Sequence, residues 1–394
     1  MLMISQKKYR IKVDENTSPR VRVIKGLRQA LNFGIYSPGE KIGSEEQIAA
    51  EYGVSRMTAR AAIKELVEEG LLVSEKYRGY FVSSSLKKNA FLSRNFILAT
   101  HVKIQNNVYD GIGKAGQIEL GVLTEASIFG MHPLVLGESG FSDGCFELFI
   151  NGMPLGIIIS DYFYNDFACL NALKSLRHLN FPVVIYGDSK ELSSYVRVIS
   201  DHEAGSSLLT RSLIERGCKR ILRLWTVNED IYWIKGRNLG YEKTVKDVGL
   251  SVIPPVYVSG IVPPDKEGNE NFKKRSRTYA GYLAEYLTAS EPIDGILLTS
   301  DSDFFPVAAA CRLCGKIPGK DILICGYDNY WKECIERSFE ESKPFATIEK
   351  EDFLIGKKLF SKLLELIKER ESGLTLSPSL EKIKPQLIKT EENK

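Results

Sequence analysis

The 394-residue sequence lacks any long apolar run, and no segment approaches the roughly 18 residues that a membrane-spanning helix needs. The first residues, MLMISQKKYRIKV, contain no apolar stretch followed by a small-residue cleavage site, so we expect no secretion signal. The seven cysteines are odd in number and dispersed, which indicates reduced thiols rather than a disulfide framework. These absences favour a cytoplasmic protein without a membrane partner.

Signatures of catalysis and of metal binding are also scarce. Only four histidines are present and none forms a spaced pair, while Cys311-x-x-Cys314 has no second pair at metal-ligand spacing. The sequence contains no GxSxG elbow and no phosphate loop of the GxxxxGKS or GxxxxGKT kind. A GxGxxG match at 111–116 starts about ten residues after the nearest predicted strand, too far for a dinucleotide site. We therefore expect no catalytic residue, no metal and no cofactor.

The composition is that of a globular protein, with 43% hydrophobic and 26% charged residues, but the charge is unevenly distributed. Residues 1–94 contain 17 Lys and Arg against 10 Asp and Glu, whereas the remaining residues contain 36 against 40. A basic head on a slightly acidic body favours a polyanionic partner for the head, although chance is an alternative for segments of this size. The length predicts two or three domains.

The N-terminal region predicts three short helices. Residues 20–34 carry apolar side chains at helical spacing. Ser44, with Gln47 three residues later, is typical of a capping box that starts a second helix, which Gly53 ends. Ser55 then caps a third helix. Two helices joined by a short turn that contains glycine are typical of a helix-turn-helix.

The third helix has an apolar stripe and a neighbouring basic face. Arg56, Arg60 and Lys64 recur every four residues on that face, with Thr58 near the start of the helix. This arrangement is typical of a recognition helix, because an arginine donates two parallel hydrogen bonds to O6 and N7 of guanine. A solvated basic face on an ordinary helix is the alternative.

A hairpin follows the third helix. The strand-like runs 71–74 and 80–82 flank a basic turn that contains Arg78. The pattern predicts a winged helix whose tip places Arg78 on a phosphate or in a minor groove.

Residues 17–83 resemble the GntR-type winged helix. The segments that carry the resemblance are PGEK (38–41), SEEQIA (44–49), GVSRMTAR (53–60), ELVEEGLL (65–72) and RGYFV (78–82). It implies base contacts at Arg56, Thr58 and Arg60, with Gly79 in the wing. With the caps and the other cations, the predicted DNA-binding residues are Ser44, Ser55, Arg56, Thr58, Arg60, Lys64, Arg78 and Gly79. The sequence departs from the family at Gly43, usually proline, at Tyr80, usually a small residue, and at Glu46, an acid at a contact position.

Residues 83–94 begin with a serine-rich polar stretch and predict a flexible linker between a DNA-binding domain at 1–82 and a larger domain at 95–390. In the larger domain apolar strand-like runs alternate with helical segments, which predicts parallel sheets joined by right-handed crossovers. The predicted fold class is therefore α/β, an N-terminal winged helix-turn-helix plus a doubly wound parallel-sheet domain. Ligands of such sheets bind at the carboxyl ends of the strands.

Aspartates follow several of the predicted strands. Asp161, Asp188, Asp301 and Asp328 each come directly after an apolar run. Converging carboxylates suit a polyhydroxylated ligand, because they accept hydrogen bonds from pairs of hydroxyl groups. Capping of the next helix is the simpler alternative for any one of them. Asp301 is the strongest candidate for a ligand contact.

Residues 95–390 resemble the LacI-type effector domain, which is built like a type I periplasmic binding protein. The segments that carry the resemblance are PVVIYGD (182–188), ISDHEAG (199–205), LIERGCKRI (213–221), RNLGY (237–241), DGILLTSDS (294–302), IPGKDILICGYDN (317–329) and PFATI (344–348). It implies a two-lobed effector domain with the effector in the cleft. A GntR-type head on a LacI-type body resembles the arabinose-repressor subfamily.

The same resemblance implies effector contacts at Arg237 and Asp301. Trp225 and Trp233 precede Arg237 and are candidates to stack on a sugar, with packing inside a lobe as the alternative. Tyr109 lies where the family has a short contact motif, in a segment that departs from the family pattern. The predicted effector-binding residues are Arg237, Asp301, Asp161, Tyr109, Trp225, Trp233 and Asp328.

Together these features predict a transcription regulator, a repressor by resemblance, that binds double-stranded operator DNA and a small effector, a sugar or sugar derivative. A lone winged helix makes few contacts with DNA, so we expect a homodimer on two half-sites. The alternative is an α/β enzyme acting on a sugar or nucleotide with an accessory DNA-binding head. That alternative requires a nucleophile with its base or a metal-ligand set, and the sequence offers neither.

Overall fold

The computed structural model describes residues 18–32, 36, 38–83, 95–100, 116–136, 154–160, 167–262 and 268–390. These residues belong to two compact units. The first draws on Met1–His101, Ala126–Val183 and Leu363–Leu376, and the second on Val102–Glu125, Val184–Lys362 and Ser377–Lys394. The chain therefore enters each unit more than once. The domain limits expected at residues 82, 94 and 390 stay predictions.

The N-terminal part of the first unit is a winged helix-turn-helix, as the sequence predicts. Its elements are α1 (Pro19–Asn32), α2 (Glu45–Tyr52), α3 (Arg56–Glu68), β1 (Leu72–Glu75) and β2 (Gly79–Val82), the last two paired antiparallel. Apolar side chains from all five elements form one core that includes Val23, Leu27, Ile48, Ala59, Ile63, Leu66, Leu72 and Val82. Helices of this length are marginal alone, so this shared core stabilises them.

Local signals start and stop the short helices of this domain. The Ser44 hydroxyl accepts a hydrogen bond from the Gln47 amide at 3.2 Å, and the Gln47 side chain accepts one from the Ser44 amide at 2.8 Å, which confirms the capping box. Gly53 ends α2 in the left-handed conformation, with φ of 63°. Ser55 accepts a hydrogen bond from the Thr58 amide at 3.1 Å and caps α3.

The remaining helices and strands alternate along the chain. In chain order they are β3 (Asn95–Ala99), α4 (Gln117–Ile128), β4 (His132–Leu136), β5 (Ile157–Ile159), α5 (Phe167–His178), β6 (Val183–Tyr186), β7 (Val196–Ser200), α6 (His202–Glu215), β8 (Ile221–Trp225), α7 (Tyr232–Asp247), β9 (Val256–Tyr257), α8 (Asn269–Leu287), β10 (Gly295–Leu298), α9 (Phe304–Leu313), β11 (Leu323–Cys325), β12 (Ala346–Glu349), α10 (Asp352–Glu371), β13 (Ser379–Ile383) and β14 (Gln386–Lys389). The mixed α/β class predicted from the sequence is confirmed.

In the first unit, β3 pairs in parallel with β4 on one side and with β5 on the other. All five residues of β3 are buried, which fits the near-continuous apolar run of a strand covered on both faces.

The second unit holds a six-stranded sheet in the order β14-β12-β11-β10-β8-β9, and β6, β7 and β13 pair in parallel elsewhere in the same unit. Every pairing of the six-stranded sheet is parallel except that of β12 with β14, which is antiparallel. The core on one side of this sheet includes Leu222, Tyr279, Leu283, Ile296 and Phe304. The carboxyl ends of β8, β10 and β11 therefore lie side by side.

The sequence did not predict β13 and β14. Both strands mix polar and apolar residues and are mostly exposed or half-buried, so neither contains the continuous apolar run that predicts a buried strand. The sequence predicts a helix over residues 276–290, whereas α8 begins seven residues earlier, at Asn269. Its first turns are polar and strongly charged. The two strands and the first turns of α8 were missed because contacts with other segments, rather than their own hydrophobicity, determine their conformation.

Among the residues that the structure describes, no helix is both long enough and apolar enough to cross a membrane. The same residues contain no group of three or more His, Cys, Asp or Glu side chains placed to hold a metal ion.

Candidate DNA-binding surface and ligand site

Helix α3 presents its cations to solvent. The side chains of Arg56, Arg60 and Lys64 are 62%, 63% and 76% exposed, while Ala59, Ile63 and Leu66 of the same helix are buried in the core. The apolar stripe thus fixes the orientation of α3 and leaves its basic face outward.

Acidic residues of the same domain pair with this basic face. The guanidinium of Arg56 donates to Glu45 at 3.0 Å and lies 2.9 Å from Glu46. Arg60 lies 3.7 Å from the other carboxylate oxygen of Glu45, and Lys64 lies 3.5 Å from Glu68. Each cation of this face therefore has an acidic partner within its own domain.

The wing carries a further exposed cation at its turn. Arg78 is 70% exposed, pairs with Glu75 and lies over the Phe81 ring with 5.2 Å to the centroid. Gly79 has φ of 106°, a conformation that L side chains rarely adopt. The backbone conformation therefore favours glycine at this position, and an added β-carbon would require only the flexible end of the Lys41 side chain, 3.0 Å away, to shift.

The predicted hydroxyl contacts serve as helix caps in this structure. Ser44 and Ser55 accept hydrogen bonds from backbone amides of α2 and α3, and the hydroxyls of Ser55 and Thr58 lie 2.8 Å apart. Their contact with DNA, like that of Arg56, Arg60, Lys64, Arg78 and Gly79, stays a prediction.

In the second unit, Arg237 joins several elements at the carboxyl edge of the six-stranded sheet. It lies on α7, is 3% exposed, and donates a hydrogen bond to the Thr299 carbonyl at 2.6 Å. Its guanidinium stands 3.4 Å from the centroid of the Tyr327 ring and 4.6 Å from that of Trp233. Within the described part of the chain its Nε has no hydrogen-bond partner, which leaves a buried donor available to a ligand.

We call Trp233, Arg237, Thr299, Ser300, Tyr327, Asp328 and Lys350 the strand-end site. Lys350 lies 3.1 Å from the Asp328 carboxylate and 3.5 Å from that of Asp352. Asp328 has φ of 85°, a left-handed conformation that costs free energy in a non-glycine residue. Strain of this kind is frequent where a side chain is held for binding.

Asp301 lies beneath this site and is fully buried. Its Oδ2 accepts hydrogen bonds from the amides of Tyr330 at 2.8 Å and Trp331 at 3.1 Å, and its Oδ1 accepts one from the Thr347 hydroxyl at 2.9 Å. A β-carbon at Gly326 would overlap the carboxylate, so the glycine after β11 makes room for it. Asp301 thereby ties the segment after β11 to the turn after β10, and its contact with an effector stays a prediction.

The pKa of Asp301 is raised from its ordinary value to about 7. Burial is the larger cause, and the charge of Asp328 adds to it, whereas the hydrogen bonds from Thr347 and the two amides work in the opposite direction.

A buried ion network supports the same turn. Arg275 on α8 donates to Asp303 at 3.0 Å, to the Ser302 carbonyl at 3.1 Å, and to Glu336. The Tyr279 hydroxyl donates to Asp303 at 2.6 Å. The turn that follows β10 is therefore fixed from two sides.

The two predicted tryptophans differ in their surroundings. Trp225 is buried in the core, and its indole donates to Asn238 at 3.0 Å. Trp233 is only partly buried, and its indole nitrogen has no hydrogen-bond partner among the described residues. Trp233 therefore offers both a ring and a free donor, while Trp225 has the packing role considered as its alternative. The effector contact of each stays a prediction.

Four residues of this region were not singled out from the sequence. The hydroxyls of Ser300, Ser302 and Tyr330 form a chain, with 2.6 Å between the two serines and 3.2 Å between Ser300 and Tyr330. The two serines flank Asp301 directly after a predicted strand. This position in the sequence could have identified them as polar residues at or beside the strand-end site. His202 packs edge-on against Tyr232, 5.8 Å between ring centroids. Burial, with the charges of Arg237, Lys350 and Lys382, holds the pKa of His202 well below its ordinary value. Tyr109 and Asp161 lie outside the described residues.

Comparison with known proteins identifies the class of the N-terminal domain. Residues 19–82 match the family model described as "Bacterial regulatory proteins, gntR family". The chain thus carries a GntR-type helix-turn-helix domain at its N-terminus.

An uncharacterized HTH-type transcriptional regulator of Bacillus subtilis, YurK, is 42% identical over 62 residues, which make up 16% of this chain and 26% of YurK. The chain matches only about a quarter of the length of its first curated relatives, and these matches concern the head.

Solved structures match most of the chain. A regulatory protein of the LacI family from Chloroflexus aggregans covers 76% of this chain and 98% of its own, with a TM-score of 0.57 and 20% identity. The complex of the transcriptional regulator CelR with cellobiose covers 88% of this chain and 98% of its own, with a TM-score of 0.55 and 18% identity. At these identities the likeness shows the fold, which is that of LacI-type regulators with a periplasmic-binding-like effector domain.

Proposed function

We propose that this chain is a cytoplasmic transcription regulator, a repressor, whose affinity for double-stranded operator DNA is controlled by a small effector bound at the strand-end site. The observation that carries the proposal is the outward basic face of α3, with Arg56, Arg60 and Lys64 exposed on a helix whose other side is buried. The GntR-type match of residues 19–82 supports the same function.

DNA recognition is tested with the full-length chain. A duplex is first selected from a random-sequence pool, and affinities for the selected duplex and for a random duplex are then measured by fluorescence anisotropy. Arg60→Ala should weaken binding to the selected duplex by about 1–3 kcal/mol and relax its sequence preference, because a bidentate contact to a base is lost. If Arg60→Ala has unchanged affinity and unchanged sequence preference, then α3 does not read the bases.

We propose a sugar or sugar derivative as the effector. Arg237 offers a buried donor, Trp233 offers an aromatic face and a second donor, and Asp328 offers a carboxylate. Guanidinium and carboxylate groups hydrogen-bond to hydroxyls, and aromatic rings stack on the apolar faces of sugars. The CelR structure contains cellobiose on the same fold, which supports a sugar here.

The effector is tested by thermal unfolding in the presence of free sugars, phosphorylated sugars and sugar acids. A ligand at 100 times its dissociation constant stabilises the native state by about 2.7 kcal/mol, a measurable shift. Arg237→Ala should abolish the shift and the effect of that ligand on DNA affinity, while DNA affinity without the ligand is retained. Loss of DNA binding in the same variant would mean that Arg237 stabilises the fold instead of binding the effector.

We further propose a homodimer on two half-sites, because one winged helix supplies few base contacts. Sedimentation of the free protein and of its complex with the selected duplex gives the stoichiometry directly. One chain per duplex at saturation would contradict the dimer.

A further inference from the structure

Glu45 has three partners in the N-terminal domain. One carboxylate oxygen accepts a hydrogen bond from Arg56 at 3.0 Å, and the other accepts one from the Tyr80 hydroxyl at 3.0 Å and lies 3.7 Å from Arg60. Its side chain is only 13% exposed. The carboxylate thus connects α2, α3 and β2.

The backbone that carries Glu45 is well fixed. Glu45 is the first residue of α2, directly after the capping box of Ser44 and Gln47. Glu46, the next residue, lies near Arg56 and accepts a long hydrogen bond of 3.5 Å from the Ser44 hydroxyl, but its side chain is 66% exposed and therefore less constrained. A carboxylate on a capped helix start holds its partners more precisely than an exposed one, because less side-chain freedom remains.

The electrostatics favour an ionised carboxylate. Burial alone would raise the pKa of Glu45, but the hydrogen bonds from Arg56 and Tyr80 and the charge of Arg60 outweigh it, and the pKa is lowered. Hydrogen bonds to an ionised group are about twice as strong as those between neutral groups. Glu45 therefore attracts both arginines by charge and accepts a hydrogen bond from one of them, Arg56.

Tyr80 adds the wing to this arrangement. Its hydroxyl brings the wing strand β2 onto the carboxylate that holds the arginines of α3. The Glu45 carboxylate thus lies between the wing strand and the arginines of α3.

We propose that Glu45 is a positioning residue that sets Arg56 and Arg60 for base reading and couples them to the wing through Tyr80. This inference rests on the proposed DNA-binding function. As a consequence, the negative charge of Glu45 weakens the general attraction of the domain to phosphates, while the fixed arginines strengthen recognition of one DNA sequence.

The test compares Glu45→Gln with the wild type on the selected duplex and on a random duplex. Glutamine keeps the size of the side chain but removes its charge. We expect affinity for the selected duplex to fall about tenfold, in the range of one lost base contact. Affinity for the random duplex should stay equal or rise, because the head gains positive charge.

Glu68→Gln is the matched control. Glu68 also pairs with a cation of α3, Lys64, and is 64% exposed, so the substitution makes the same charge change. It should raise both affinities in parallel. Tyr80→Phe removes only the link to the wing and should lower affinity for the selected duplex without changing that for the random duplex.

Three results would overturn the inference. A parallel rise of both affinities in Glu45→Gln would make Glu45 a simple repulsive charge. A parallel fall of both affinities in Glu45→Gln would mean that Glu45 stabilises the fold. Wild-type affinities in Tyr80→Phe would mean that the wing is not coupled to Glu45. Failure of the wild type to enrich any sequence from the pool would contradict the proposed function itself, and the inference with it.

Discussion

Asp301 shows how a single buried carboxyl makes stability depend on pH. Its pKa in the folded protein is about 7, above the ordinary carboxyl value, because it is buried and near Asp328. The folded state therefore holds a proton that the unfolded state has released, and the free energy of unfolding falls as the pH rises through about 7.

We predict that Asp301→Asn flattens this pH dependence, because the amide carries no charge at any pH. Urea unfolding at about pH 5 and about pH 8 should show a larger loss of stability with rising pH in the wild type than in the variant. Each unit of pKa difference corresponds to about 1.4 kcal/mol. Parallel curves for the two proteins would mean that Asp301 has the same pKa folded and unfolded.

Single residues also show where sequence patterns stop being informative. Arg237 was predicted to lie in a ligand site, and the structure places it beside Tyr327 and Trp233 at the strand ends. The three donors to Asp301 could not be predicted, because they come from residues up to 46 positions away. The burial of Trp225 has the same cause, since strand register and the helices above the sheet decide which face an indole occupies.

At the scale of elements, helices α6 and α7 approach each other closely through Gly240. A β-carbon there would overlap the backbone carbonyl oxygen of Glu203, which cannot move independently of its helix. Gly281 in α8 offers a contrast, since its added β-carbon would meet nothing within 4 Å.

We predict opposite effects of alanine at these two glycines. Gly240→Ala should destabilise the second unit by about 1–3 kcal/mol, the usual cost of overpacking. Gly281→Ala should stabilise it by up to about 1 kcal/mol, because alanine is the better helix former. Urea unfolding followed by circular dichroism measures both, and equal effects of the two substitutions would contradict the close approach of α6 and α7.

Elements with local signals were predicted well, and those without such signals were missed. The winged helix follows from its caps, its glycine turn and its apolar periodicity, all of which act within a few residues. Strands β13 and β14 depend on partners that lie far away in the sequence, β7 and β12. Their mixed polar and apolar composition suits exposed strands as well as loops, so the sequence alone did not identify them as strands.

At the scale of the whole molecule, charge separates the N-terminal region from the rest of the chain. Residues 1–94 have an excess of cations, and the other residues a small excess of acids. Salt should therefore weaken DNA binding mainly through the head, since each phosphate contact releases bound counterions.

We predict that Lys64→Ala lowers the slope of log affinity against log salt concentration by about one, without changing sequence preference, because it removes one phosphate contact. Lys320→Ala, an exposed lysine of the second unit, is the control and should leave the slope unchanged. Anisotropy titrations on the random duplex from low to moderate salt give both slopes. Equal slopes for the wild type and Lys64→Ala would place Lys64 away from the phosphates.

The pairing of β13 with β7 and of β14 with β12 can form only late in the synthesis of the protein. Residues 379–389 supply a strand beside β7 and another beside β12, and a ribosome makes them after every other strand of the second unit. Until these residues leave the exit tunnel, β7 and β12 each lack a neighbour. While these last residues are still inside the ribosome, the emerged part of the chain therefore exposes one unpaired edge of β7 and one of β12. Chaperones can bind the nascent chain during this time.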